Sequence, residues 1–543
     1  MKGKTGMVKW LIALMLTAGM LIPAGAASAA TLDVTAYGAD GSDALDDTTA
    51  IQDAIDAASA GDTVYIPAGT YYVSGQLDMK SDLVLKGAGR DSTGLIYTGT
   101  TDSVFIMLDD IDNAEISDMT LDGNLNSALN IAIRGDQGGG HYVHHMRIKD
   151  MVSNPAFGSI AIYFTNSPDP VVTDNILTNI GVDDTYGGGI RIAWNSDRGI
   201  VLRNTITDTG RGGIFGNNGC DNMIVRDNKI SGSGHTVNGL SIELHTDCDG
   251  SVVEDNEVDH FISVVKSQHV AVRRNKVENL SGVYKGYGLE LISGNSIATD
   301  NFVGDGNLVG ISTSGVSDYQ YIGHNTIDTL AQWGVQLQGS TANNTFVRYM
   351  YFYKNKFVHT DKDNVNARYP SFAGMGFRIN NNTRDIVLDS NEINGNDRSG
   401  IQIGGSSGVD YVSIVNNEIK NNGTSSISST LSGATHLEWE NNTVTGNGTN
   451  TNLTTVGYSV YKPVADFSSL SSVSAGVPVT FTNTSTDSDG TISHVLWDLG
   501  AGAPTNTYSP TYTYDEPGTY RVTLVIWDND NRAALKEKWI TVY

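Results

Sequence analysis

Lys266 ends the otherwise apolar segment Phe261-Ile262-Ser263-Val264-Val265, where the surrounding chain repeats a Gly–apolar–x–apolar phrase. At the strand ends of earlier repeats stand His245, Asn218 and Asn195, with Arg191 further up the same side. A lysine with cationic and amide neighbours could act as a general base beside a bound carboxylate, as in removal of the weakly acidic C5 proton of a uronate. That carboxylate must first be neutralised, by Arg, Asn or His, so that the enolate-like intermediate is stabilised. A neutral base then takes the proton. The leaving oxygen needs a proton from Tyr287, Tyr284, Tyr163 or His245, among which the sequence does not choose. The candidate substrate contacts are Arg191, Trp194, Asn195, Asn218, Glu243 and Tyr163. A plainer reading is also open, with Lys266 snorkelling from a solvated face and His245 an ordinary surface histidine.

These side chains share a surface only if a repeat stacks them. From about residue 130 to 445 the phrase Gly–apolar–x–apolar, turn, apolar–x–x–x–Asn–x–Ile or Val recurs. Gly189-Ile190-Arg191-Ile192 leads to Asn204, Gly213-Ile214 to Asn228, and Gly239-Leu240-Ser241-Ile242 to Asn256. Asn275, Asn301, Asn325, Asn355, Asn391, Asn417 and Asn442 continue the column, about every 27 residues. A period of that length with alternating apolar residues is one coil of a β-solenoid. Coils stack at about 4.8 Å, so each column is a ladder, and the Asn amides are expected to pair from coil to coil inside a bend. Aligning the glycines predicts one outward column of Arg191, Phe215, Ser241, Ser263 and Glu290. The next holds Tyr163, Ala193, Asn217, Glu243 and Val265.

Lys2, Lys4 and Lys9 precede the apolar run 11–22, and Ala27-Ser28-Ala29 offers a cleavage site. Residues 1–30 therefore read as a secretory signal peptide, since the apolar run is too short for a membrane span. The chain has a net charge of −26 and 61 glycines, which argues against binding nucleic acid or an anionic membrane. The expectation is a secreted, extracellular monomer whose partner is an anionic polysaccharide. Such a partner must meet a local basic cluster, for which Arg191, Arg211, Lys266 and Lys285 are available. Export also favours oxidation of the two cysteines. Cys220-Asp221 and Cys248-Asp249 hold the same place in successive coils, within disulfide reach, the alternative being two buried thiols.

The opening stretch contains Val34-Thr35-Ala36-Tyr37-Gly38-Ala39-Asp40-Gly41 and then Val64-Tyr65-Ile66-Pro67-Ala68-Gly69-Thr70-Tyr71. It resembles the N-terminal signature of the pectate-lyase-like, right-handed parallel β-helix superfamily. The implied fold is all-β, with such a helix over residues 31–455 and a linker at 456–462. Between the two segments, Ala50, Ile51, Ala54, Ile55 and Ala58 share one face of a short amphipathic helix, which would cover the open end of the first coil. Further on, Asp487-Ser488-Asp489-Gly490, Trp497-Asp498-Leu499-Gly500, Pro517-Gly518-Thr519-Tyr520 and Trp527-Asp528 resemble a PKD module. This implies a small Ig-like β-sandwich over 463–543, a spacer or polysaccharide contact dispensable for turnover.

The order strand, Lys266-Ser267-Gln268, turn, strand, Asn275 resembles the lysine segment of family six polysaccharide lyases. That family includes chondroitin B lyase and alginate lyases. The resemblance implies Lys266 as the Brønsted base and alginate as the substrate, while His245, Asn218 and Arg191, by their places in neighbouring coils, are expected to meet its carboxylate. The family's arginine one coil later is absent from Gly288-Leu289-Glu290-Leu291, and Phe261 and Ile262 replace its calcium-binding carboxylates. A related β-helix lyase family without calcium fits, and no cofactor is expected.

Three other functions compete. A hydrolase needs two or three carboxylates within about 5–9.5 Å, and Asp183, Asp184, Glu243, Asp247 and Glu290 are candidates. A mannuronan C5-epimerase shares the first half of the elimination, but its Asp-Pro-His-Glu motif is missing; Ser167-Pro168-Asp169-Pro170 only echoes it. A polymer-binding solenoid without catalysis is the third.

Overall fold

The computed structural model describes residues 29–543 except 101–103, 153–157, 183, 235–238, 279–285, 305, 331, 361–372, 405–407, 430–435 and 458–460. Residues 1–28, and with them the signal-peptide reading, lie outside the described residues. Each coil is built from three short strands, as in Gly188–Ala193, Ile200–Leu202 and Thr205–Thr209. Each of these pairs in parallel with its counterpart in the next coil. The first two strand sets merge into a 30-stranded sheet and the third forms a 15-stranded sheet. Ile162, Ile190, Ile214, Ile242, Ile262 and Leu289 make one inward column, fully buried at every level. At the open N-terminal end the α-helix Thr48–Ala57 buries Ile51, Ala54 and Ile55.

The asparagine column is a continuous side-chain ladder from Asn175 to Asn442. Asn256 shows the rule. Its Nδ2 donates to Asn275 Oδ1 at 2.9 Å and to the Val225 carbonyl at 3.0 Å. Its Oδ1 accepts from the backbone and side-chain nitrogens of Asn228. A buried bend leaves polar groups without water, and an amide that both donates and accepts satisfies them.

Cys220 and Cys248 form a disulfide with Cα atoms 4.5 Å apart. It closes a loop of 28 residues, so a double Cys220→Ala/Cys248→Ala variant is expected to lose about 3 kcal/mol. Denaturant unfolding would measure this, and an unchanged midpoint would show that stacking alone holds these coils.

One register expectation is corrected. Gly212 pairs with Leu240, not with a residue before it, so Phe215 lies beside Glu243 and Asn217 beside His245. Glu243 thus belongs to the column of Arg191 and Phe215, and Tyr163 joins the same column opposite Arg191. Packing holds the inward Ile214–Ile242 pair in line, whereas Gly239 precedes the strand Leu240–His245.

The C-terminal sandwich, a four-stranded sheet with two small two-stranded ones, is docked on the helix and not held away from it as a spacer. Leu496, Val525 and Trp527 pack on Val252, Ala271, Ile297, Tyr321, Tyr349, Tyr351 and Val387. The Arg273 side chain, 1% exposed, meets Asp498 at 3.2 Å and the Gly502 carbonyl at 2.8 Å. Glu537 receives His324 at 2.6 Å and Lys354 at 3.3 Å, and Arg521 pairs with Asp300. Tyr319 stacks on His494 at 3.7 Å between centroids.

Near this junction burial raises the Asp385 carboxyl to about 7, against the opposing pull of Arg384 and Arg348. A carboxyl raised in the fold contributes stability below its unfolded value near 4 and loses it as pH rises to 7. Asp385→Asn is therefore expected to stabilise the protein by about 2–4 kcal/mol more at pH 8 than at pH 4. Urea unfolding at the two pH values tests this, and an equal gain at both would rule out titration as the cause.

Candidate functional site

The corrected register gathers a polar cluster on the outer face of the first strand set. Tyr163, Arg191, Phe215, Glu243, Ser263 and Glu290 follow one another in a single column. Thr165, Ala193, Asn217, His245, Val265 and Ile292 form the column beside it. Phe215 is fully buried beneath two guanidinium groups, with Arg191 at 4.7 Å and Arg211 at 5.1 Å from its ring.

The two arginines differ in their partners. Arg211 donates to Glu243 Oε1 at 2.6 Å, and Asn217 donates to Glu243 Oε2 at 3.1 Å. Glu243 is 6% exposed, so its charge is compensated where it lies. Arg191 donates only to the Tyr186 carbonyl at 3.0 Å, its Nε is buried without a partner, and it makes no ion pair among the described residues. Burial pulls its pKa down, and the nearby Arg211 adds to this, yet a guanidinium remains charged. No carboxylate forms an ion pair with it among the described residues, although the charges of Glu243 and Asp184 oppose the shift. Two coils from Glu243, Glu290 accepts from Ser263 Oγ at 2.7 Å. Burial first, and then the charge of Glu243, push its pKa up.

The residue after Thr165, Ala193, Asn217, His245 and Val265 is left-handed in five successive coils: Asn166, Trp194, Asn218 and Thr246 just past their strands and Lys266 within the strand Ile262–Gln268, with φ of 49°, 44°, 59°, 64° and 53°. Asn tolerates this conformation, which accounts for Asn218. Asn195 is likewise left-handed and donates to Asn166 Oδ1 at 3.2 Å. Trp and Lys gain no such local benefit, and both are exposed, Trp194 by 46%. Lys266 follows Val265 at a bulge in the pairing with the next coil; its carbonyl accepts from the Asp247 amide at 3.1 Å, and its side chain makes no hydrogen bond or ion pair with the described residues. His245 sits one coil away, its Nδ1 2.8 Å from Thr246 Oγ1. Tyr163, half-buried, has its pKa raised by burial and meets Trp194 edge-on at 6.3 Å.

Tyr287 is not with this group. It opens the strand Tyr287–Gly294 and lies against Phe261 at 6.0 Å. Ile292, beside Val265, is five residues on, about 16 Å along the strand. Tyr284, Lys285 and Asp183 lie outside the described residues. The sequence did not single out Phe215 and the Arg211–Glu243 pair as site features; an apolar residue in an outward column was the available signal. Among the described residues no group of three or more His, Cys, Asp or Glu is placed to hold a metal ion.

Stacked three-strand coils with an asparagine ladder define a pectate-lyase-like parallel β-helix protein with a C-terminal PKD domain. Residues 31–312 match the rhamnogalacturonase A/epimerase, pectate lyase-like family, and the chain belongs to it; residues 460–542 match the PKD domain. The chain is similar to mannuronan C5-epimerase AlgE3 of Azotobacter vinelandii, 34% identical over 195 residues, or 31% of this chain and 10% of the epimerase. Alginate lyase 7 of the same organism is 39% identical over 107 residues, covering 17% of this chain and 12% of the lyase. The chain thus matches a small part of the length of these curated relatives. Among solved structures, the A-module of mannuronan C-5 epimerase AlgE6 of A. vinelandii has a TM-score of 0.36 at 19% identity, covering 78% of this chain and 100% of the module.

Proposed function

We propose that the protein is a secreted enzyme that removes the C5 proton of a uronate in an anionic polysaccharide, alginate above others, and completes a β-elimination. The observation that carries this is Arg191, a mostly buried guanidinium on the outer face with no anionic partner among the described residues. A uronate carboxylate bound there, three coils or about 14 Å from Lys266, would be neutralised and would hold the polymer along the face, while the carboxylate of the reacting uronate must be met nearer Lys266 to lower the cost of the enolate-like intermediate. Lys266, as the neutral amine, takes the C5 proton; the electron pair forms the C4=C5 double bond and the C4–O bond breaks. His245, in the column adjoining Lys266, returns a proton to the leaving oxygen. Trp194 and Tyr163 offer ring faces to neighbouring sugars. The relatives named as mannuronan C5-epimerases and an alginate lyase support a uronate substrate and chemistry at C5.

A hydrolase reading has one observation in its favour. Glu243 and Glu290 share a column two coils apart, about 10 Å between Cα atoms, and Glu290 is pushed toward the protonated state. That is the asymmetry of an acid–base pair. Incubation with alginate, pectate and glycosaminoglycans separates the readings by absorbance at about 235 nm from the unsaturated product. A lyase produces the signal, a hydrolase new reducing ends alone, and an epimerase an altered uronate ratio without chain shortening.

A further inference from the structure

A cavity of about 240 Å³ lies at the junction of the β-helix and the C-terminal domain, on a different strand set from the candidate active site. Its apolar walls are Val387 and Val415 from the helix and Pro463, Ala533 and Leu535 from the other side. The space equals roughly eight waters at ~30 Å³ each, or one sugar ring, and is smaller than the sites of about 300–1,000 Å³ that larger ligands use.

Its carboxylates are unequally satisfied. Asp389 accepts from Tyr351 Oη and Asn416 Nδ2, both at 2.9 Å. Glu438 accepts from Ser413 Oγ at 2.6 Å and pairs with Lys462 at 2.5 Å and Arg532 at 3.6 Å. Asp385 lines the same cavity, is 3% exposed, and neither carboxylate oxygen accepts a hydrogen bond. Arg384 Nε comes within 3.3 Å of Oδ2 without hydrogen-bond geometry. Asp385 also interrupts a row of rings: the coils on either side carry Tyr349 and Tyr411 at its position, each stacked on a further ring. A carboxylate buried this deeply calls for donors, and Tyr351, Asn416, Ser413, Lys462 and Arg532 in the lining are directed at Asp389 and Glu438 instead.

We propose that this cavity binds one pyranose-sized ligand rich in hydrogen-bond donors, neutral or carrying an ammonium group, held by the Asp385 carboxylate. Asp385, Asp389 and Glu438 outnumber Lys462 and Arg532, both of which are paired with Glu438. A uronate is therefore disfavoured here, and the site selects a sugar unlike the one assigned to the outer face.

Calorimetric titration of the full chain at about pH 8, above the Asp385 value of about 7, tests this with 6-amino-6-deoxyglucose, glucose and glucuronate. The amino sugar is expected to saturate a single site about tenfold more tightly than glucose, and glucuronate not to bind. Asp385→Asn removes the amino-sugar preference, and Val415→Trp, which fills the cavity, abolishes both bindings. Absence of saturable binding by either sugar would make the cavity a water site. Binding unchanged in both variants, or glucuronate binding as tightly as the others, would equally overturn the assignment.

Discussion

Replacing Lys266 with alanine is expected to lower polyuronate turnover by about 10²–10⁴-fold, the usual cost of losing a general base, with folding intact. The side chain is exposed and pairs with none of the described residues, so no packing is lost. Its backbone is left-handed at φ 53°, a conformation that preceding coils fill with Asn166 and Asn218. Lys266→Asn is therefore expected to melt at or slightly above the wild-type temperature while being as inactive as the alanine variant. Lys266→Arg separates the two roles a lysine can play. Arginine keeps the positive charge but cannot take up a proton from the substrate. It should be inactive if Lys266 is the base and near normal if only charge is needed. Near-normal kcat in Lys266→Asn would move the base elsewhere.

Ending the chain near residue 457 is expected to reduce soluble yield and melting temperature sharply, against the sequence-based expectation of a dispensable spacer. The truncation uncovers Val252, Ala271, Ile297, Tyr321 and Tyr351 as one apolar patch, the kind of surface that promotes aggregation. It also strips Arg273 of Asp498 and leaves Glu254, at 3.5 Å, as its remaining carboxylate. Asp498→Ala isolates that second effect and is expected to cost about 3 kcal/mol, because a buried charge loses its partner. Calorimetry of the full chain should show helix and sandwich unfolding in one transition. A truncated chain that stays soluble and melts at the full-length temperature would show that the docked face contributes nothing to stability.

Much of the fold was legible because a solenoid repeats its demands. The same bend must satisfy the same backbone groups in every coil, so Asn175 through Asn442 stand out, and the equivalent places of Cys220 and Cys248 foretold their bond. The register of the outer face was less legible. Glycines mark the approach to a strand, whereas the inward residues Ile214 and Ile242 are what packing holds in line. Aligning on glycine therefore displaced Glu243 by two residues and His245 by one. The docked domain leaves a trace in the second strand set. Second strands such as Ala271-Val272-Arg273 and Ile297-Ala298-Thr299 are buried on both faces, and strands apolar on both faces need a cover on each side. The partners of Arg191 and Arg211 follow from side-chain geometry across coils, which periodicity does not encode.

On the proposed mechanism a C5 proton leaves the substrate from the Arg191–Lys266 face. The most direct measurement is proton NMR of alginate turned over in D2O by the wild-type chain, with Lys266→Asn in parallel. The prediction is unsaturated non-reducing ends that have lost the C5 proton, formed by the wild type and absent with Lys266→Asn. Shortened chains with saturated ends and every C5 proton retained would contradict it and assign the chemistry to Glu243 and Glu290.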